Sequence, residues 1–205
     1  MPTTPALQQL SLEYASLQRH APSGIYCVPS FDSILVWNCV VFIHQGYYSG
    51  AILRFKMTFS DDYPQRPPTV TFQSDTVFHP LISPEGDMSL SARFRPWLPQ
   101  EHHVFDILHS LKAAFKKDSL DRLDERDCFN PEALNRYRES TSSFAQLAQQ
   151  TALLSQREST LYNLDYPTMK RLRRGEAPSN GIVFTHLDEQ TLEGLRKQVG
   201  VSKWD

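Results

Sequence analysis

The spacing of apolar residues changes twice along the chain, and the changes mark three regions. In the first, TPALQQLSLEYASLQRH, residues Leu7, Leu10, Tyr14 and Leu17 fall on one helical stripe, with Thr3 or Thr4 as N-cap. The exposed face is mostly Gln and Ser, and Glu13 is the only charge before Arg19. APSG then stops the helix. Three strand-like runs follow: IYCVP, SILVWNCVVFI and GAILRFKMTF. In the last, Ala51, Leu53, Phe55, Met57 and Phe59 alternate with Ile52, Arg54, Lys56 and Thr58, which predicts a strand with one wet face. The middle run is apolar on both faces, as a central strand is. The glycine-bearing HQGYYSG joins these two as a hairpin.

The prolines of DDYPQRPPTVTF forbid helix and predict an extended loop leading into a short strand at Thr69–Phe72. Residues 76–99 have no period. A connection of that length in a compact domain is usually functional or disordered, and Phe78, Phe94 and Trp97 favour a packed loop.

From Pro99 the period becomes helical. Val104, Ile107, Leu108, Leu111 and Phe115 form one stripe, and Asn130-Pro131-Glu132 reads as an N-cap with proline at the first helical position. The helix it opens carries Leu134, Tyr137, Phe144, Leu147, Thr151 and Leu154, and either runs to about Arg157 or breaks near Ser140–Ser143. Residues 160–181 read as irregular, with a basic cluster at Lys170, Arg171, Arg173 and Arg174. Leu187, Leu192, Leu195 and Val199 predict a final short helix stopped by Gly200. Helix, antiparallel meander of four strands, long loop and helices together make an α+β fold. Residues 1–155 are expected to form one domain, and residues 156–205 an extension.

Composition narrows the function classes. The chain has 205 residues, of which 40% are apolar, enough for a core. A formal charge of −2 gives no bulk attraction to nucleic acid or anionic membrane. No apolar run reaches the length of a membrane span, and Met1–Arg19 has neither the basic start nor the apolar stretch of a signal peptide. Cys27, Cys39 and Cys128 are odd in number and sit in no CxxC pair, which argues against a disulfide framework or a cysteine-built zinc site. A cytoplasmic protein with reduced thiols, no metal and no cofactor is expected.

Four motifs in order carry a family resemblance. Tyr63-Pro64-Gln65-Arg66-Pro67-Pro68-Thr69-Val70-Thr71-Phe72 looks like the YPxxPPxVxF of ubiquitin-conjugating (E2) enzymes. His79-Pro80 looks like the start of their HPN motif, and Gly86 sits where the family has a glycine before its active-site segment. Trp97-Leu98-Pro99 looks like their WxP, and Asn130-Pro131-Glu132-Ala133 resembles the opening of their third helix. The resemblance covers roughly residues 5–150 and implies the UBC fold.

The resemblance also implies departures. Ser89 stands ten residues after His79 and eight before Trp97, the place the family gives its catalytic cysteine. A ubiquitin carrier needs a nucleophile that ionises readily and leaves well. A thiol, with a pKa near ~8.5, meets that need, whereas a serine hydroxyl requires an adjacent oriented base. His79 is the only local base, and the family uses that histidine to hold the loop. Leu81 replaces the HPN asparagine, whose amide is held to stabilise the oxyanion. No cysteine of the chain occupies the active-site register. Residues 1–18 contain no Lys or Arg, although the family docks its activating enzyme through a basic first helix. Gln65 stands where conjugating enzymes often carry a ligase-binding Phe, and Gln100 where they have a small residue. A pseudoenzyme is therefore expected, with His79, Pro80, Leu81, Ser89 and Trp97 as the degenerate site.

Other constellations are weaker. His102, Asp106 and His109 have metal-ligand spacing on one helix, but nothing completes a tetrahedron, and a solvated polar face accounts for them better. The basic cluster is more simply a solvated charge run than a binding site. Phe94, Trp97, Tyr47 and Tyr48 look exposed enough for a partner surface, although in this fold several would pack the loop.

Among inactive variants, the Phe-His-Pro-Leu context, the Asn-Pro-Glu-Ala helix start and the helical tail most resemble the fused-toes (AKTIP-type) family. That resemblance implies a subunit joining a Hook-type coiled-coil protein and an FHIP-type protein, in a complex that links early-endosome cargo to dynein–dynactin on microtubules. No direct membrane insertion is expected, and the partner-binding residues are left unassigned. The alternatives are a ubiquitin-binding variant that partners an active conjugating enzyme or sorts ubiquitinated cargo, and a divergent enzyme acting through Ser89 or another cysteine.

Overall fold

A computed structural model of the chain describes residues 4–73, 77–161, 182 and 184–199. Four strands, β1 (Ile25–Pro29), β2 (Val36–Phe42), β3 (Ile52–Thr58) and β4 (Thr69–Phe72), pair antiparallel in chain order, so the sheet is a plain meander. Its register places Cys39 opposite both Cys27 and Phe55, and Met57 opposite Val70. The alternation expected of β3 holds: Leu53, Phe55 and Met57 are buried while Lys56 and Thr58 face water. In β2, Trp37, Cys39 and Val41 are buried on the inner face, and Val40 is buried on the other. That double burial is what an all-apolar central strand requires.

Helix α1 (Thr4–His20) packs on α2 (Val104–Ala114), and α2 lays Ile107, Leu108 and Leu111 into the same core as the sheet's inner face. The stripe of α1 is rotated from its expected position. Ala6, Leu10 and Glu13 are buried and Leu7 and Leu17 partly so, while Tyr14 is 39% exposed with its ring edge-on to Trp37. The rotation follows from Glu13, whose carboxylate has partners inside the fold, as described below. Thr3 lies outside the described residues.

Of the two outcomes the pattern allowed after Asn130, the helix takes the break, at Ser140. Residues Pro131–Glu139 form α4 and Thr141–Ser155 form α5, after a short α3 at Lys117–Asp121 that the apolar pattern did not reveal. Ser140 closes α4 with its N–H on Arg136 O and caps α5 with its hydroxyl, which accepts from Ser143 N. Asn130 caps α4 as expected, its side-chain oxygen accepting from Ala133 N at 3.1 Å. The hairpin brings Tyr137 and Phe144 together at 5.0 Å and seats them against Tyr47, while Tyr48 and Phe78 pack on Phe144. Two buried hydroxyls of α5 serve backbone elsewhere: Thr151 accepts from Phe78 N and Ser155 from Ile52 N.

Beyond α5, α6 (Glu158–Leu161) brings the Leu161 carbonyl to the Arg54 guanidinium on the sheet's outer face. Phe184 lies against Arg54 and edge-on to Phe42 on that same face. The final helix, α7 (Glu189–Val199), is present but starts two residues after Leu187, which was expected in its stripe, and Leu187 and Leu195 are both exposed. Most of residues 160–181, including Lys170, Arg171, Arg173 and Arg174, and also Gly200, lie outside the described residues. Among the described residues no helix is long and apolar enough to cross a membrane.

Candidate functional site

The loop between β4 and α2 carries all the expected site residues, and the fold assigns them different work. His79 is fully buried. Its Nδ1 accepts from the Leu81 N–H at 3.0 Å, so the ring proton sits on Nε2 and is donated to the Ala114 carbonyl at 3.1 Å. Both nitrogens are thus committed, one within the loop and the other to the end of α2. The ring also packs on Phe115 and Tyr48 at 4.9 and 5.6 Å. Burial pushes its pKa down to about 4, only partly opposed by the Ala114 hydrogen bond. A neutral ring with no free nitrogen cannot take a proton from a nucleophile. His79 is a pin.

Pro80 continues the pin, since its carbonyl accepts from the Asn130 N–H at 2.9 Å and ties the loop to the cap of α4. Gly86 has φ of +96°, and a Cβ there would lie 2.5 Å from the Phe72 carbonyl oxygen. Only glycine fits, because the Phe72 N–H also donates to Gly86 O at 2.8 Å. Trp97 donates its indole N–H to Pro64 O at 2.7 Å, which clamps the proline-rich loop to the far end of the site. Its ring and that of Phe94 both pack on His102.

Ser89 is 2% exposed, so its hydroxyl does not face solvent. The Oγ lies 2.8 Å from Ser91 Oγ, and Ser91 donates to Asp127 Oδ1 at 3.0 Å. Because the proton of Ser91 goes to the carboxylate, Ser89 must donate to Ser91. Asp127 in turn pairs with Arg95 at 3.0 Å. The relay therefore runs Ser89, Ser91, Asp127, Arg95, with no imidazole among its members. A carboxylate held by an arginine and reached through a second hydroxyl is a poor base for a buried serine. The backbone of Ser89 matters more locally: its N–H donates to Leu81 O at 2.8 Å, closing the loop on itself. Leu81 is 4% exposed and forms part of the wall of a neighbouring cleft; its side chain supplies no hydrogen-bond donor.

The thiols are no better placed. Burial, and then neighbouring Cys27, hold Cys39 well above the usual thiol range. Burial and then Asp127 push Cys128 up to about 11. All three cysteines are free. His102, Asp106 and His109 do not converge. His102 Nδ1 accepts from Leu98 N, Asp106 caps α2 by accepting from His103 N at 2.9 Å, and His109 donates to the His20 carbonyl. Phe94 and Tyr48, expected as surface aromatics, are buried, with the Tyr48 hydroxyl donating to Phe78 O, and Trp97 and Tyr47 are partly buried. Tyr48 packs on His79 and Phe94 on Trp97 within the loop, while Tyr47 packs on Tyr137 and Phe144.

One buried polar hub escaped the sequence reading. Glu13, 3% exposed, accepts from the Val104 N–H at the start of α2, from His103 Nδ1 and from the Tyr63 hydroxyl, all at 3.0 to 3.2 Å. Burial, and then Glu13, raise the Tyr63 pKa far above the tyrosine range. Glu13 thus joins α1, the proline-rich loop and α2 at one point. Its only signal in the sequence was a lone acid on a helix otherwise poor in charge.

The profile of the ubiquitin-conjugating enzyme family matches residues 9–152, which takes in the sheet, the loop and helices α2 to α5. A protein named AKTIP homolog from Nematostella vectensis is 33% identical over 139 residues, 67% of this chain and 45% of the relative. A crossbronx-like protein from Drosophila mojavensis is 39% identical over 110 residues, 52% of this chain and 43% of the relative. A crossbronx homolog from Anopheles gambiae is 30% identical over 155 residues, 74% of this chain and 67% of the relative. The chain spans about half the length of three crossbronx-like relatives, from Drosophila mojavensis, Drosophila grimshawi and Drosophila virilis (43%, 52% and 41%).

Proposed function

Since the chain belongs to the ubiquitin-conjugating enzyme family, we propose that it is a variant of the AKTIP type that has given up conjugation and works as a protein-interaction subunit. One observation carries the reading. At the position where the family resemblance places the nucleophile, a serine hydroxyl is buried and donates to Ser91, while the nearby imidazole has both nitrogens bound to backbone. Leu81, at the place of the oxyanion-stabilising asparagine, offers only an aliphatic side chain. Losing nucleophile and oxyanion donor together removes both halves of the transfer reaction, while His79, Gly86 and Trp97 still shape the loop.

The finer reading is that of an adaptor. The relatives named AKTIP and crossbronx support placing the chain beside the fused-toes proteins. With that placement come a Hook-type coiled-coil protein and an FHIP-type protein as partners, and cytoplasmic transport of early endosomes by dynein–dynactin as the setting. The test is co-purification of the full chain with a purified Hook-type protein and an FHIP-type protein by size-exclusion chromatography. A stable ternary peak supports the adaptor. Separate elution of all three, with ubiquitin or an active conjugating enzyme shifting the chain instead, supports the ubiquitin-binding alternative.

A further inference from the structure

Cys27 and Cys39 stand twelve residues apart in the chain, and the meander sets them directly opposite each other on β1 and β2. The ladder bonds fix the kind of pair they make. Phe42 N donates to Gly24 O at 2.8 Å and Ser30 N to Val36 O at 2.7 Å, so the hydrogen-bonded pairs of this ladder fall on even-numbered residues. Cys27 and Cys39 therefore form a pair with no ladder bonds between them. At such a pair the Cα atoms stand about 4.5 Å apart and the side chains lie close together on one face. A disulfide asks for Cα atoms about 4.4 to 6.8 Å apart, which this register already supplies. Both thiols are free. Cys39 is 2% exposed and Cys27 only partly buried, so a reagent in solvent meets Cys27 first. The Cys39 Sγ lies 3.9 Å from the Trp37 carbonyl oxygen, too far to be held firmly. After burial, the neighbouring Cys27 is what raises the Cys39 thiol, as adjoining sulfurs do. Cys128 lies elsewhere, beyond α3, with its thiol donating to Asp124 O at 3.3 Å.

We infer that Cys27 and Cys39 form a reversible cross-strand disulfide, a redox-sensitive clasp that fastens the edge strand β1 to β2. The oxidant is a small-molecule disulfide such as oxidised glutathione. The Cys27 thiolate attacks one of its sulfurs, a mixed disulfide forms, and one glutathione leaves as a thiolate that takes up the proton Cys27 gave to water. Cys39 then attacks the Cys27 sulfur, the cross-strand bond forms, and the second glutathione leaves with the Cys39 proton. Two protein thiols are oxidised and one disulfide is reduced to two thiols. An odd cysteine count argues against a disulfide framework, and a single reversible bond is not one, since the core closes around the free thiols. The inference goes beyond the adaptor reading and is independent of it, because it rests on strand register and not on any partner.

The full chain is equilibrated in mixtures of reduced and oxidised glutathione, quenched with acid, and its free thiols are blocked with N-ethylmaleimide. The tryptic peptide 20–54, which holds both cysteines, is then weighed by mass spectrometry. The expected product is that peptide unblocked and lighter by two hydrogens. Cleavage before Asp32, which lies between the cysteines, should leave its halves joined until dithiothreitol is added. The same chain in urea measures what sequence proximity alone supplies, and the folded chain should form the bond with an equilibrium constant larger by about tenfold or more. Cys128→Ser should behave as wild type, and Cys27→Ser should leave Cys39 as a blocked thiol. A thermal melt of the reduced and oxidised chains checks that the fold is kept. Absence of the bond in the folded chain, or an equilibrium constant no larger than in urea, overturns the proposal. So does oxidation that stops at glutathione on Cys27, or a main product that joins Cys128.

Discussion

His79 and Ser89 are both buried in one loop, ten residues apart, and the fold uses them in opposite ways. The His79 side chain reaches across structure: one nitrogen holds the loop's own backbone and the other holds the last turn of α2. The Ser89 side chain reaches two residues along the chain, and only through Ser91 does it touch Asp127. Its structural contribution is made by backbone, whose N–H any residue but proline would supply. The difference teaches that shaping such a loop and doing chemistry in it are separable. A sequence can keep every group of the first kind while the second kind varies, because His79 meets position 81 only through its backbone N–H, which any residue but proline supplies.

The comparison can be broken most severely at His79. His79→Ala leaves the Leu81 N–H and the Ala114 carbonyl unpaired in a dry site and opens a cavity, so urea unfolding should show a loss of about 4 kcal/mol. The same residue governs acid sensitivity. The unfolded chain protonates this imidazole near its ordinary value of 6.5, whereas the folded chain resists until about 4. Between those values the unfolded state binds the extra proton, so stability falls as pH falls, by up to about 3 kcal/mol from this group. An NMR titration of the His79 ring should stay flat down to about pH 5. Gly86→Ala comes next: the new methyl meets the Phe72 carbonyl at 2.5 Å in a left-handed backbone, for a loss of about 2 kcal/mol by urea unfolding. Ser89→Ala should be mildest, at about 1 kcal/mol by the same measurement, since it removes two local hydrogen bonds to Ser91, one of them long at 3.4 Å, and leaves the Asp127 contact intact. A Ser89 loss equal to that of His79 would erase the contrast.

What the chain disclosed of itself follows the range of the interactions. The strand alternation of Leu53, Phe55 and Met57, the α2 stripe and the Asn130 cap are local patterns, and each stands where expected. Glu13 was not legible. Its partners Tyr63 and His103 lie fifty and ninety residues away, and nothing in a helical stripe says that an acid will turn inward to meet them. That inward turn displaces Tyr14 from the stripe. The break at Ser140 stayed open because serine serves equally as a solvated helical residue and as a cap. Tyr48 and Phe94 looked exposed because their burial depends on α5, Phe115 and His102, which arrive from distant parts of the chain.

The central claim is that the loop is kept as scaffold without its chemistry, and one measurement meets it head on. The full chain is incubated with ubiquitin-activating enzyme, ATP and ubiquitin, then run on denaturing gels with and without reductant. The expected result is no covalent ubiquitin adduct in either lane, in wild type and Ser89→Ala alike. An adduct that survives reductant, is cleaved by hydroxide and disappears in Ser89→Ala would contradict the account, because Ser89 would then be a working nucleophile.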